Sequence, residues 1–272
     1  MRDCEIPEAL QPTWKTRWLA REVAHHTTLG STNDEALAWA SRGAVHGALV
    51  TADCQTAGRG TRGRHWVSPA NKNVYASIVL RPAPTAAGGP QGLTGLGLAV
   101  GLGLRSALAT WAPEIVLKWP NDLVTRAQAT APSKKIAGVL CETRWAGTRA
   151  QVIVGFGINV RHQAFPPEID AIATSLQARV PGLDVCPRAV LGRVLEHLEP
   201  VLDAFLWPSG GFAAIRERYQ QHCITLGQTV TRTQQVRGVT TEVRGEVVGL
   251  SEFGALRVRT PSGVVHTVQS VG

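Results

Sequence analysis

The sequence predicts an α+β chain with a large mixed body over residues 1–224 and a small β-barrel over residues 225–272. Three observations lead there. Thr32 and Glu35 precede an alanine-rich run, and Thr-x-x-Glu is the spacing of a capping box at a helix start. Short apolar runs such as Ala48–Ala52 and Val74–Leu80 stand between helix-length segments, which places strands and helices in one body. From Leu226 the texture changes to short alternating pieces separated by Gly238, Gly245, Gly249, Gly254 and Gly263. That is the turn punctuation of a small barrel.

Taken in order, residues 1–30 form an extension with a basic amphipathic piece, Thr13–Val23, and a run to Gly30. The capping spacing predicts a helix over Asn33–Ser41, closed near Gly43. A strand over Ala48–Ala52 enters a glycine-arginine loop, and Val74–Leu80 forms the next strand. Pro82–Pro90 reads as a surface turn and Leu93–Ala112 as a helix. Ile115–Trp119 is a strand stopped by Pro120, and the polar segment Thr125–Ser133 is expected to be mobile. Ile136–Cys141 and Gln151–Val154 pair as a hairpin through Ala146-Gly147-Thr148. Helical spacing returns over Arg188–Phe205 and Gly211–Cys223. Barrel strands follow at Thr229–Thr231, Glu246–Val248, Ala255–Val258 and Val264–His266.

With 272 residues, 44% hydrophobic and 18% charged, the chain can bury a full core and is not a disordered composition. Its net charge of +8 favours anionic partners, a class that includes nucleotides, nucleic acid and acidic proteins. Cys4, Cys54, Cys141, Cys186 and Cys223 are odd in number and lack metal-ligand spacing, which fits a reducing cytoplasm and argues against zinc. Residues 1–5 carry no apolar signal region. The run Leu93–Trp111 is interrupted by Arg105 and rich in glycine, so it reads as a buried helix rather than a membrane span.

Between Asp53 and Glu114 there is no acidic residue, while Arg59, Arg62, Arg64, Lys72, Arg81 and Arg105 all lie there. Three of these arginines sit in Gly58-Arg59-Gly60-Thr61-Arg62-Gly63-Arg64-His65-Trp66. Glycines permit close backbone approach and arginines offer planar donor forks, so the loop reads as an anion clamp with Trp66 as a stacking face. It matches G-x-G-x-x-G formally, but Ser68-Pro69 follows where a helix must start, and no ribose-holding acid comes before Glu114. A Walker A reading fails for want of Gly-Lys-Ser/Thr. RNA binding and a plain surface loop remain as alternatives for this string alone.

Lys118-Trp119-Pro120-Asn121-Asp122 delivers a cation, an amide and a carboxylate at a strand end, and reads equally as turn chemistry. Lys134-Lys135-Ile136-Ala137-Gly138 puts two lysines at a strand mouth, with Gly138 leaving room beside them. Gly155-Phe156-Gly157-Ile158-Asn159 repeats that pattern, though such glycine pairs also mark bulges. Ser31-Thr32-Asn33 offers short polar groups at a helix N-terminus as well as a cap.

In this order, Ser31-Thr32-Asn33, Gln55-Thr56-Ala57-Gly58-Arg59-Gly60 to Trp66, the Lys118–Asp122 string, Lys135–Gly138 and Gly155–Asn159 resemble the biotin protein ligases. The likeness spans about residues 28–160, and the C-terminal β piece resembles that family's SH3-like barrel. The resemblance implies a mixed sheet of the class II synthetase type. It further implies ATP-dependent activation of biotin to biotinyl-5′-AMP, with Mg²⁺, and transfer to a lysine of a carboxylase's biotin carboxyl carrier domain. Carried over by position, Ser31, Thr32, Asn33 and Gln55 face the ureido head. Gly58, Arg59, Gly60 and Thr61 belong to the biotin site, with Arg59 a catalytic group on the carboxylate or phosphate. Lys135 is the main electrostatic catalyst, with Lys134 its competitor, and Gly138 and Gly155 shape the pocket. Arg62, Lys118, Asn121, Asp122 and Asn159 serve ATP, Asp122 also the metal, and Trp66 stacks on adenine.

Two departures are visible. Thr61 stands where the family usually carries arginine, so the loop is expected to hold the adenylate less tightly unless Arg62 substitutes. Residues 1–30 are too few for the DNA-binding domain of some relatives, so sequence-specific DNA binding is not expected. A homodimer is compatible with the resemblance. Rival readings are a lipoate–protein ligase-like acyltransferase and, from another class, an RNA-binding module.

Overall fold

The computed structural model describes residues 14–127, 131–147, 149–161, 164–236 and 239–269. Its main sheet has seven strands in the order β1-β2-β3-β7-β6-β5-β4: β1 Val23–Leu29, β2 Leu49–Gln55, β3 Asn73–Leu80, β4 Ile115–Lys118, β5 Asp122–Thr125, β6 Lys135–Ala146 and β7 Arg149–Asn159. Only β1 and β2 run parallel, joined by helix α1, Thr32–Ser41; every other neighbour pair is antiparallel. β1 escaped the sequence reading because its two histidines and three threonine or alanine neighbours show no apolar alternation on this half-buried edge.

Small residues decide how the layers pack. On one face Ala36 and Ala40 of α1 meet Val50, Val79 and Ile153 of the sheet. On the other face lie α2, Leu96–Leu108, and α5, Pro187–Leu206. A Cβ on Gly103 would come within 2.7 Å of Leu198, so that glycine sets the close approach of α2 to α5. The expected helix over Leu93–Ala112 therefore exists, with its first residues in a 3₁₀ segment, Pro90–Gly95. Short helices α3, Pro167–Asp170, and α4, Leu176–Arg179, follow β7, and α6, Arg216–Gln220, follows α5. Among the described residues no helix is long and apolar enough to cross a membrane. Residues 128–130 of the expected mobile segment, and Thr148 of the hairpin turn, lie outside the described residues.

The C-terminal piece is a separate antiparallel sheet in the order β11-β10-β9-β8: β8 Thr229–Val236, β9 Val239–Leu250, β10 Leu256–Arg259 and β11 Val265–Val268. It docks on the main body through Trp119, whose Nε1 donates to the Gly254 carbonyl at 2.9 Å while its backbone N–H donates to Thr225 Oγ1 at 3.1 Å. A buried indole whose N–H is satisfied is a strong anchor. In sequence its string presents only a turn or a ligand site.

The capping box does not form. Ser31 is the N-cap residue and makes no side-chain cap bond. Thr32 gives its backbone N–H and its hydroxyl to Gln55 Oε1, at 2.8 and 3.1 Å, and Glu35 pairs instead with Arg42. A tertiary acceptor from β2 has replaced the local one.

Candidate active site

Strand register builds the floor of one cavity. Ser77 of β3 lies opposite Gly155 of β7, which lies opposite Leu140 of β6. One step along, Gly157 pairs with Gly138, which pairs with Asp122 of β5. Residues directly opposite one another share a face, so two rows of mostly small residues form a shallow trough across four strands. The cavity over it is lined by Ser31, Thr32, Asn33, Gln55, Arg59, Gly60, Thr61, Trp66, Asn121, Lys135, Gly138 and Gly155, together with neighbouring backbone. Residues far apart in the chain, and singled out separately by their chemistry, thus share one wall-to-wall site.

At the α1 end the polar groups satisfy one another. Buried Ser77 lies 2.6 Å from Asn33 Oδ1 and 2.8 Å from Thr32 Oγ1. Asn33 Nδ2 donates to Glu142 Oε2 at 2.7 Å, and Gln55 Nε2 donates to Ser68 Oγ at 3.0 Å. A Cβ on Gly155 would collide with the Asn33 amide. The glycine therefore lets a protein side chain lie on the sheet, where the sequence reading expected it to leave room for ligand. Ser77, Ser68 and Glu142 were not anticipated.

At the other end Lys135 Nζ lies 2.5 Å from Asp122 Oδ1 and 5.3 Å from the Trp66 ring centroid. The Asp122 contact is a close ion pair that engages this buried oxygen. A bulge in the β5–β6 ladder, between Leu123 and Val124, re-aims Lys135. Its backbone is pinned on both sides: its N–H donates to Ile172 O, and its carbonyl accepts from Thr174 N. Lys134 points elsewhere, donating to the Asp170 carbonyl. Trp66 lies against Gly157 and Gly138, where added Cβ atoms would approach its indole to 2.5 and 3.3 Å, and its buried Nε1 has no partner.

The glycine-arginine loop is a small hairpin. Trp66 N donates to Gly58 O at 2.9 Å, Gly60 N to Arg64 O at 2.7 Å, and Arg59 bridges to His65. Arg62, at φ 59°, and Gly63, at φ 69°, make its left-handed tip. Thr61 Oγ1 accepts from Arg64 at 3.0 Å and from Asn121 at 3.4 Å. Arg59 is tied to Glu142 by two hydrogen bonds, 2.8 and 3.0 Å, and to Asp34 at 2.7 Å.

Beside Trp66 opens a more apolar hollow lined by Val67, Phe165, Ile169, Ile172 and Ala173, with Asn159 at its edge. Asn159 is buried and donates to Thr174 O at 3.0 Å. A larger cleft, which Arg62 and Asn121 help to line, runs from the loop to residues 251–255 of the C-terminal unit. Lys118 is exposed and lines none of these spaces. No group of three or more metal-ligating side chains occurs among the described residues.

Residues 27–159 match the Biotin/lipoate A/B protein ligase family, and residues 225–270 match the biotin protein ligase C terminal domain. A biotin--[acetyl-CoA-carboxylase] ligase of Paracoccus denitrificans is 33% identical over 243 residues, covering 86% of this chain and 92% of the relative. The chain belongs to the biotin protein ligase family. The bifunctional ligase/repressor BirA of Bacillus subtilis is 31% identical to this ligase over 253 residues, covering 92% of the chain and 73% of the relative. The solved biotin protein ligase of Aquifex aeolicus in complex with biotin and ATP superposes on the ligase with a TM-score of 0.74 at 29% identity, covering 92% of this chain and 96% of that one. The fold expected from the sequence, a mixed sheet with a small C-terminal β unit, is the fold of this ligase.

Proposed function

We propose that this ligase joins biotin to ATP as biotinyl-5′-AMP and then to a lysine of a biotin carboxyl carrier domain. In the first step a biotin carboxylate oxygen bonds to the α-phosphorus of ATP, and the bond to pyrophosphate breaks. In the second, a neutral lysine amine bonds to the acyl carbon and AMP leaves with the anhydride oxygen. The observation that carries this reading is one trough with a hydrogen-bonding end, Ser31, Thr32, Asn33 and Gln55, and a cationic end at Lys135. Biotin has a polar fused ring at one end and a carboxylate at the other, and the two ends of the trough match them.

In this reading Ser31, Thr32, Asn33 and Gln55 hold the ureido group. Gly58, Gly60 and Thr61 bring the loop over the acyl chain, with Gly138 and Gly155 beneath. Lys135 stabilises the charge that builds between carboxylate and α-phosphate, where a fixed cation lowers a barrier most. Adenine occupies the hollow beside Trp66, edged by Asn159, while Asn121 and Arg62 line the phosphate side. Mg²⁺ bound with ATP would screen the charge of its phosphates. Asp122, the carboxylate paired with Lys135, would be the protein's contact to the metal ion. Lys118, the remaining cation of that string, would act only from outside the cavity.

ATP–pyrophosphate exchange with biotin, lipoate or no acid tests the proposal. Exchange that requires biotin is expected, and exchange with lipoate alone or with neither acid would overturn it.

A further inference from the structure

Arg59 resembles a ligand-binding cation in sequence, yet its guanidinium is committed inside the protein. It faces two carboxylates, Glu142 through two hydrogen bonds and Asp34 through a third. A third carboxylate or a phosphate brought to that point would enter net negative surroundings. Its position is also at the wrong end for the reaction. Glu142 holds Arg59 and the Asn33 amide at once, which places the guanidinium beside the polar head of the trough. Lys135 has its own counter-ion on β5 and stacks by Trp66.

We infer that Asp34 and Glu142 are positioning residues that act through Arg59 to hold the glycine-arginine hairpin down over bound biotinyl-5′-AMP. The inference rests on the ligase reading of this site. Three elements meet in the contact: the hairpin through Arg59, α1 through Asp34, and β6 through Glu142. The sharing of Glu142 matters most. The carboxylate that orients the ureido reader also receives the loop, so a filled head-group site and a closed loop favour the same arrangement.

The magnitude decides where the effect appears. Side chains of Arg59 and Glu142 are 39% and 37% exposed, and Asp34 is 60% exposed. Ion pairs that wet add little to the stability of the unliganded protein. A ligand under the hairpin displaces water from the contact and strengthens it. The contact should therefore be felt in the release of the intermediate, with little change in melting temperature or in the rate of activation.

The test measures release of bound biotinyl-5′-AMP in a chase, maximal ATP–pyrophosphate exchange, and unliganded melting for Arg59→Ala, Glu142→Gln, their double variant and Asp34→Asn. Release should speed by about 10-fold in Arg59→Ala and in Glu142→Gln, and by about 3-fold in Asp34→Asn, with maximal exchange in Asp34→Asn within about 3-fold of the parent. The double variant should release no more than about twice as fast as either single one, because both remove the same contact. A fall of about 100-fold in maximal exchange for Arg59→Ala with release unchanged would instead put Arg59 at the reacting atoms. Additive effects, or a lowered melting temperature with normal release, would also overturn the inference. Absence of biotin-dependent exchange in the unaltered chain would remove the ligase reading itself, and is seen separately from these outcomes.

Discussion

The two ends of the trough are built on opposite terms. At the α1 end, Ser77, Thr32, Asn33, Gln55, Ser68 and Glu142 form a closed set in which each polar group holds the next. At the β5 end, Lys135 and Asp122 form a single ion pair, and among the described residues the buried Trp66 indole N–H has no acceptor. A satisfied buried network is rigid and specific. Groups left short of partners are ready for charge that arrives with a substrate and changes during reaction. On the proposed function, recognition is prebuilt in this site, whereas the reacting end is completed by what binds.

The largest test of that contrast is Lys135→Ala. If the cationic end works on developing charge, biotin-dependent exchange should fall roughly 100- to 1000-fold, with less change in biotin affinity. Equal losses in both would mean that Lys135 holds ground-state biotin, and the contrast between the ends would collapse.

Two glycines on one strand sharpen it further. Gly155→Ala would drive a methyl group into the Asn33 amide, which is fixed by Ser77 and Glu142 and has nowhere to go. The KM for biotin should rise about 10- to 100-fold, since a displaced buried amide leaves partners unpaired. Gly157→Ala meets the Trp66 indole at 2.5 Å, but that ring belongs to a hairpin and lacks a hydrogen bond to lose. Its effect should stay within about 5-fold and fall on the KM for ATP. Reversal of the two magnitudes, measured by exchange at varied biotin and ATP, would show that the rigid end has been misplaced.

Much of this site was legible because its readers carry unusual chemistry in short strings. Ser31-Thr32-Asn33, the loop residues Arg59, Gly60, Thr61 and Trp66, Asn121, Lys135 and the glycines Gly138, Gly155 and Gly157 stand out locally, and all line one cavity. Their supports did not stand out. Ser77 looks like any polar strand residue until antiparallel register sets it opposite Gly155 and beneath Asn33. Glu142 sits in an ordinary alternating stretch, and its role appears only when α1 and the hairpin converge on it. Lys135 and Lys134 both stand out in the sequence, but the bulge that aims Lys135 is a property of the β5–β6 ladder. Trp119 was legible as unusual and illegible as a dock, since its partner Gly254 lies in the other sheet. Local chemistry marks the residues that line the cavity. Residues that hold them in place are defined by register and packing across the chain.

The smallest expected effect concerns Thr61, where the two ends meet under the hairpin. Its hydroxyl accepts from Arg64 and its carbonyl takes a second Arg64 bond, so the threonine folds that arginine back onto its own loop. A threonine also cannot supply the planar donor fork that a phosphate or carboxylate engages. Thr61→Arg adds that fork on the cavity side and releases Arg64 from its side-chain bond. Release of biotinyl-5′-AMP should slow about 3- to 10-fold, the scale of one added, partly wet charge-assisted contact. Because the gain comes from the charged end, it should weaken as salt rises, while the KM for biotin, set at the opposite end, stays unchanged. Equal release rates for the variant and the parent would show that an arginine here finds no anion. The loop's hold on the intermediate would then rest on Arg59 and its two carboxylates, independent of position 61.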